Sequence, residues 1–463
     1  MGPRQIGLTA PQAVNSPSFG DPVINLKTGI PSDLVLPFPN FDPGQYPQKG
    51  YATTQAPLVF YDQNSGRPPR QIQWSVSLQR EISKDLVVEA AYVANRGAWW
   101  YSPALIDVNG LTPERIKSFG LDINNAADRA ILTARLDSAN AGAFRNRVPY
   151  AGFPTSATVA QSLRPFPQFN SITSMWSPLG RTWYDSLQLK ATKRVSRGLA
   201  FTSVFTYQKN LLMGAPSNPV VPGTGGGATN DVFNRNQNKY LSPFDQPLTF
   251  NVAVNYTVPT FRFGDGIAAK AGSWVARDWT VNTLLAYASG LPIQAPLAQN
   301  TLNTLLLRNV ATLSNANRVP GQPLFTQELN CHCFDPAKTF VLNPAAWSDP
   351  APGQWGTGAA YYNDYRFQRR PNETLSVGRI FRMTEKANLN IRIEFSNAFN
   401  RAQMPNPTST NAKQTQTCVG GPCTTGSVAS AGFGFINTAG VAATTTTGTP
   451  SSRQGTVVAR LTF

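Results

Sequence analysis

The chain has 463 residues, of which 41% are hydrophobic and only 14% are charged, and its formal net charge is +16. The charged fraction lies well below the roughly 25% of an average soluble protein. No uncharged apolar run reaches the length of about 18 residues that a transmembrane helix needs, and the basic residues form no run or known motif for nucleic-acid binding. The 36 Gly and 38 Pro favour an all-β chain with long irregular connections.

Residues 1–70 are rich in Pro, Gly, Asn and Gln and show no sustained periodicity. We interpret them as a long extracellular loop or arm. A charged segment followed by an apolar segment is absent after Met1, so no signal peptide is expected in this chain.

An alternating strand pattern begins at Gln71. Its apolar residues fall at every second position: Ile72, Trp74, Val76 and Leu78. A short turn at residues 83–85 follows, and a second alternating stretch leads to Tyr92, which together predict a β-hairpin. The same pattern recurs on either side of residues 196–198 and of residues 384–386.

The clearest strand is residues 248–258. Its apolar residues share one face: Leu248, Phe250, Val252, Val254, Tyr256 and Val258. The other face carries Thr, Asn and Ala without a charge. The apolar face could contact a protein core or lipid, and alternation alone does not separate the two. A longer turn at residues 264–266 joins this strand to a partner that ends near Tyr287.

The predicted turns differ strongly between the two ends of the strands. Those after Ile82, Val195 and Met383 are short, whereas the connections after Tyr92, Tyr207, Tyr287 and Phe395 are long and rich in Gly, Pro, Ser, Thr and Asn. Short periplasmic turns and long extracellular loops are typical of outer-membrane barrels. The sequence therefore predicts an antiparallel up-and-down transmembrane β-barrel portion of about nine to eleven strands, an incomplete barrel, with strands of roughly nine to eleven residues.

Aromatic residues are expected at two levels of this sheet. The predicted girdle residues are Tyr92, Tyr207 and Tyr287 at the outer end and Tyr256, Phe381 and Phe463 at the inner end. The predicted lipid-facing residues are Phe250, Val252, Val254, Ile391 and Ile393. The predicted lumen-facing residues are Lys190, Asn251, Asn255, Arg392 and Glu394. The lumen-facing groups could pair with each other and with water, or could contact a plug or a passing solute.

The chain resembles the C-terminal barrel part of TonB-dependent outer-membrane receptors of the Oar-like type. The stretches that carry the resemblance are residues 71–81, 87–97, 183–190 and 393–400 and the closing strand that ends at Phe463. The resemblance implies that residues 71–463 form the C-terminal part of a barrel, and that the plug and its TonB-coupling box lie outside this chain. It also implies that Leu461 and Phe463 form the signal read by the barrel-assembly machinery.

Four cysteines fall in two predicted loops. A bridge between Cys418 and Cys423 is the preferred pairing, with Cys331–Cys333 or a cross-loop pairing less favoured. Zinc bound by these thiolates and His332 is the alternative, although the spacing is not that of a zinc motif. His332 is the sole histidine, and no nucleophile motif accompanies it, so we expect neither an enzyme nor a cofactor.

The resemblance implies binding and uptake of an unknown nutrient ligand, with contact to TonB only through a plug. The expected surroundings are outer-membrane lipid and lipopolysaccharide in a Gram-negative-type bacterium, and Arg366, Arg369 and Arg370 could meet lipopolysaccharide or keep the loops solvated. Two alternatives stay open: a soluble or surface β-sandwich that binds carbohydrate or protein, and a porin-like channel.

Overall fold

A computed structural model describes most of the chain from residue 67 onward. The described residues are 67–102, 105–167, 177–214, 229–259, 266–299, 314–331, 333–351, 354–369, 371–383, 387–401, 403–438 and 452–463, with Lys27, Gly264, Leu306 and the backbone of Leu58–Tyr61 and Ile172–Met175. The predicted arm therefore lies almost entirely outside the described residues.

One large sheet dominates the described structure. Its strands are β1 (Arg70–Ser83), β2 (Leu86–Trp100), β3 (Gly180–Ser196), β4 (Leu199–Met213), β5 (Leu248–Thr257), β6 (Trp279–Ala288), β7 (Asn372–Arg382), β8 (Asn388–Ser396) and β9 (Gln454–Thr462). Each strand pairs antiparallel with its neighbour in sequence, and the short strand Lys239–Leu241 also pairs with β4. Among the described residues β1 and β9 are the open edges of the sheet. The predicted up-and-down topology and the incomplete barrel are confirmed.

The turns at one end of the sheet are short. Between β3 and β4, Arg197 and Gly198 have φ values of 51° and 82°, which are typical of a tight type I′ hairpin turn. Glycine is required at 198, because a Cβ atom there would lie 2.2 Å from the carbonyl oxygen of Thr257. Asp85, in the turn before β2, forms an ion pair with Lys193 and accepts a hydrogen bond from its ammonium group. This hydrogen bond lowers the pKa of Asp85 well below its ordinary value. The turn residues 384–386 lie outside the described residues.

The long connections at the other end contain short strands and also small helices, and the sequence patterns did not predict the helices. The helices are α1 (Pro113–Ser118), α2 (Ala126–Thr133) and α3 (Val159–Ser162), with 3-10 helices at Ala139–Phe144, Arg235–Asn238 and Pro344–Ala346. The two-stranded sheets pair Leu58–Tyr61 with Ile172–Met175, Pro292–Gln294 with Tyr361–Arg366, Asn317–Arg318 with Trp347–Ser348, and Thr417–Cys418 with Ala429–Ala431. A further helix, α4 (Ile267–Ala276), lies between β5 and β6 at the short-turn end.

The tightly packed cores lie in these connections. One cluster contains Leu111, Leu132 and Phe153 from the β2–β3 connection, and another contains Leu342 and Phe433. By contrast, many side chains on the apolar face of the large sheet are exposed, as with Val76 and Val457, which are each 70% exposed, and others, such as Val252 and Val377, are partly exposed. A β-sandwich buries such a face under a second sheet, and among the described residues no second sheet covers it. Within the described residues the large sheet is therefore not one half of a β-sandwich. No helix in the described part of the chain is long and apolar enough to cross a membrane.

Strand length departs from expectation in four of the nine strands. Strands β5 to β9 have 9–11 residues, as predicted, but β1 to β4 have 14–17. The outer face of β2, β3 and β4 carries Arg96, Asp185 and Lys209 near the long-loop end. These strands therefore extend beyond the apolar band that crosses a membrane.

Candidate functional site

The pairing register separates the side chains of the large sheet into two faces, because directly opposed residues of antiparallel strands share a face. One apolar row crosses β1 to β5 through Leu78, Ala90, Leu189, Phe205 and Phe250. A second row crosses β5 to β9 through Tyr256, Val281, Val377, Ile393 and Val457. We call this the outer face. Val252, Val254 and Ile391 also lie on it.

The opposite face, here called the inner face, is polar. One row crosses β5 to β9 through Asn255, Asn282, Ser376, Glu394 and Thr456. The same five residues are among those that line a cavity of about 720 Å³, so the inner face is the concave side of the sheet. Lys190 and Asn251 lie on this face as well, in a row that joins them through Val204.

One member of the polar row, Glu394, forms an ion pair with Arg392. The Nε atom of Arg392 donates to Oε1 of Glu394 at 2.5 Å, and both side chains remain partly exposed. Gly378 lies opposite Arg392 on β7, and a Cβ atom at 378 would lie only 2.5 Å from the Cβ atom of Arg392. The glycine therefore leaves room for the arginine. The concave face can offer donors and acceptors of both charges to a polar solute or to another polypeptide.

The tyrosines at the long-loop end mark a chemical boundary on the outer face. Tyr92 and Tyr207 share one row with Val76, Leu187 and Leu248, while Tyr287 lies one row closer to the turns, opposite Phe250. Tyr92 donates to Oδ1 of Asp185 at 2.6 Å, and Asp185 also pairs with Arg96 at 2.9 Å. The outer face thus changes from apolar to charged at this level.

The other predicted girdle residues lie toward the turn end. Tyr256 and Phe381 are on the outer face of β5 and β7. Leu461 lies on the outer face of β9, opposite Leu389. Phe463 follows β9 and is almost fully exposed. A girdle role for these aromatic residues and an assembly role for Leu461 and Phe463 stay predictions.

Arg366 does not face the surroundings as the sequence suggested. Its Nη2 atom lies 2.6 Å from Oδ2 of Asp245, and the Asp245 side chain is 1% exposed. Arg366 also donates to the carbonyl oxygens of Asp245 and Gly290, and Asp245 accepts from the backbone N–H of Asn210 at 2.7 Å. This buried pair ties the β6–β7 connection to the end of the β4–β5 connection. No sequence pattern marked Asp245.

A groove of about 520 Å³ lies where the outer face meets the long loops. Its apolar wall includes Phe205, Phe250 and Tyr287, and its loop side includes Arg369 and Arg401. Arg401 donates to both carboxylate oxygens of Glu373, at 3.0 and 2.8 Å, and Glu373 is 1% exposed. These hydrogen bonds raise the pKa of Arg401 above its ordinary value. The groove therefore combines an aromatic surface with guanidinium groups. Arg370 lies outside the described residues.

The cysteines form two disulfides, Cys331–Cys333 and Cys418–Cys423. All four sulfurs are therefore held in disulfides and are not thiolates. His332, on which the zinc alternative depended, lies outside the described residues. Within the described residues, no cluster of three or more Asp, Glu, His or Cys side chains could hold a metal ion.

Two buried charges on β7 were missed although the sequence contains their signal. Glu373 and Arg379 fall in the apolar phase of the alternation, together with Leu375, Val377 and Phe381. A charge in that phase indicates either the end of the apolar band or a covering element. Both charges prove to be buried, Glu373 under Arg401 and Arg379 under α4.

The family described as "Outer membrane beta barrel domain" matches residues 4–454. Among solved structures, the outer membrane transporter YddB from Escherichia coli shares 11% identity, with 79% of this chain and 31% of that chain covered and a TM-score of 0.33. A mutant ferric enterobactin receptor, PfeA, from Pseudomonas aeruginosa shares 9% identity, with 85% and 31% covered and a TM-score of 0.32.

The toluene transporter TbuX from Ralstonia pickettii shares 9% identity, with 71% of this chain and 56% of that chain covered and a TM-score of 0.17. The chain thus spans about a third of the length of YddB and PfeA. No curated protein sequence matches it.

Proposed function

The chain belongs to the outer membrane β-barrel domain family, and from this premise we propose that it works as part of a TonB-dependent receptor that binds a nutrient and imports it. It lies in the outer membrane of a Gram-negative-type bacterium. The short turns then face the periplasm and the long loops face the outside. We further propose that this receptor is of the Oar-like type, because the stretches of sequence named above resemble receptors of that type.

The observation that carries the proposal is the polar row on the inner face. Asn255, Asn282, Ser376, Glu394 and Thr456 line the concave cavity of a sheet whose other side is apolar. A solute that crosses the membrane inside such a sheet needs donors and acceptors along its path. Coupling to TonB would use a plug, which in this proposal is not formed by residues 71–463.

The long loops support the binding half of the proposal. They contain packed apolar clusters, helices and two disulfides, so they hold a defined shape above the sheet. A defined extracellular surface can select a ligand, because fewer groups must be ordered when the ligand binds. The identity of the nutrient is not part of the proposal.

Deletion of the gene in its native host tests the uptake function. Growth would be compared on a panel of media that each limit one nutrient, with the wild-type gene, with Glu394→Gln, and with TonB removed. We expect deletion to abolish growth on one nutrient, wild type to restore it, and loss of TonB to have the same effect as deletion. Glu394→Gln should slow uptake several-fold, because it removes the charge of the one ionisable residue among the five in the polar row.

Uptake that survives the loss of TonB and rises linearly with nutrient concentration would contradict the proposal and favour the porin-like channel. A normal growth profile of the deletion strain on every nutrient would contradict both. The matched control is Glu114→Gln, which removes the same charge from α1 in an extracellular connection, away from the polar row.

We also propose that the groove at the loop edge of the outer face contacts lipopolysaccharide. Its aromatic wall is continuous with the lipid-facing side of the sheet, and the exposed Arg369 has no ion-pair partner among the described residues. Acyl chains would lie against Phe205 and Phe250, and a phosphate would meet Arg369 and those N–H groups of Arg401 that do not bond Glu373.

Arg369→Ala is expected to reduce the lipopolysaccharide retained per protein molecule several-fold after detergent extraction, and Arg369→Lys should reduce it less. Arg145→Ala is the matched control, since it removes the same charge from an exposed position in another extracellular loop. Equal retention by Arg369→Ala and Arg145→Ala would exclude the groove as the contact site.

A further inference from the structure

Two features at the periplasmic end depart from the rest of the sheet. The β5–β6 connection at that end contains α4, whereas the other turns there are short. In addition, β7 places Arg379 on the outer face, in a pairing row with Trp279 and Ile391. A guanidinium group exposed to hydrocarbon is costly. The two features occur side by side.

The helix covers the arginine. Arg379 is 7% exposed, and its Cζ atom lies 4.4 Å from the centre of the Trp274 ring and 4.8 Å from that of Phe381. Arg379 also donates to the carbonyl oxygen of Trp274, and Trp279 donates from Nε1 to the carbonyl oxygen of Val275 at 2.7 Å. These contacts hold the C-terminal half of α4 against the outer face of β6 and β7.

The free surface of α4 is apolar. Ile267 is 90% exposed, and Trp274 and Val275 are each about half exposed. Helical spacing places Ile267, Ala271, Trp274 and Val275 on one side of the helix. The less exposed positions of α4 are small residues: Ala269, Gly272, Ser273 and Ala276. A helix on a water-exposed surface shows the opposite pattern, with its large apolar residues turned inward.

We propose that α4 is an interfacial helix that lies in the periplasmic leaflet of the outer membrane and binds phospholipid. Ile267, Trp274 and Val275 insert at the boundary between headgroups and acyl chains, where such helices are buried by about 5–10 Å. Lys270, which is exposed at the flank of the apolar side, meets the lipid phosphates. Phospholipid is the occupant because this apolar surface continues the outer face through Trp274 and Phe381, whose ring centres are 6.5 Å apart.

The helix thereby fixes the depth of β6 and β7 in the bilayer and keeps Arg379 out of the hydrocarbon. This role does not depend on the transported solute or on TonB. It depends on the periplasmic position of the short turns.

Depth-dependent quenching tests the proposal. Ile267→Cys would be labelled with an environment-sensitive fluorophore, and the chain reconstituted in phosphatidylcholine–phosphatidylglycerol vesicles that contain brominated phospholipids. The side chain is almost fully exposed, so the substitution removes no packing contact within the protein. We expect bromine at shallow acyl positions to quench the emission much more strongly than aqueous iodide does, as for a probe at the depth of an interfacial helix. Val275→Cys should behave in the same way.

Asn140→Cys in the β2–β3 connection is the matched control, since it is exposed but lies at the extracellular end. Its label should respond to iodide and not to brominated lipid. If the labels at 267 and 275 respond as the label at 140 does, α4 lies in water and the proposal is wrong. A label at 267 that is shielded from both quenchers would mean that protein rather than lipid covers the helix, and would also overturn it.

Discussion

Val252→Arg is expected to block membrane assembly of the chain, whereas Asn251→Arg at the adjacent position leaves most of it intact. Val252 lies on the outer face in the middle of β5, and its neighbours on that face, Phe250 and Val254, are apolar. Arginine on the lipid face near the bilayer midplane costs about 2–4 kcal/mol. At position 251 the guanidinium would point toward the polar inner face and its water.

Folding into lipid vesicles, followed by electrophoresis without heating and by trypsin protection, measures the assembled fraction. The two variants add the same side chain to the same strand, so a general effect of arginine on expression or solubility is the same for both. The wild-type chain already has an arginine in a position equivalent to 251: Arg392 lies on the inner face of β8, between Ile391 and Ile393 on the outer face. Equal assembly of the two variants would contradict the assignment of the faces.

Arg366→Met is expected to destabilise the extracellular loops by about 3–5 kcal/mol while the sheet stays folded, because it leaves the buried Asp245 carboxylate without its charged partner. The pair is 2.6 Å long and joins residues 121 positions apart in sequence. Cleavage sites in the β6–β7 connection should open to protease at lower temperature than in the wild type. The double variant Asp245→Asn and Arg366→Met should recover part of the loss, since no buried charge remains.

Arg318→Ala provides the matched control for this prediction. Arg318 pairs with Asp364 at 2.7 Å, but both side chains are exposed. Breaking an exposed pair costs at most about 1 kcal/mol. If Arg366→Met and Arg318→Ala shift loop cleavage by the same amount, the Asp245–Arg366 pair does not hold the loops together.

The sequence was sufficient to predict the large sheet because its determinants are local. Side-chain alternation repeats every second residue, and tight turns such as Arg197–Gly198 fix the register of the strands they join. The faces of β5 could therefore be assigned from residues 248–258 alone. The extra length of β1 to β4 was missed, because side-chain alternation continues past the membrane boundary. That boundary is marked only by a change in chemistry on the outer face, where the aromatic Tyr92 is followed by the charged Asp185 and Arg96.

The loops could not be predicted because their contacts are distant in sequence. Leu306 packs into the cluster formed by the β2–β3 connection, and Asp245 pairs with Arg366. In both cases the sequence around each residue gives no indication of its distant partner. Helix α4 was hidden for another reason. Its ten residues place Ala, Gly and Ser on the side that packs against the sheet and the large apolar residues on the opposite side. The sequence therefore lacks the apolar buried face by which a helix is usually recognised. The charge at Arg379 was visible in the alternation and would have indicated a covering element.

Spin labelling of β5 shows directly which face of this strand contacts lipid. Spin labels placed singly at residues 249–256 in the reconstituted chain would be compared for collision with oxygen, which concentrates in hydrocarbon, and with a water-soluble nickel complex. We predict a period of two, with high oxygen and low nickel accessibility at Phe250, Val252 and Val254 and the reverse at Asn251 and Asn255. Alternation with the opposite phase, or no alternation along the strand, would contradict the conclusion that the outer face of β5 contacts lipid.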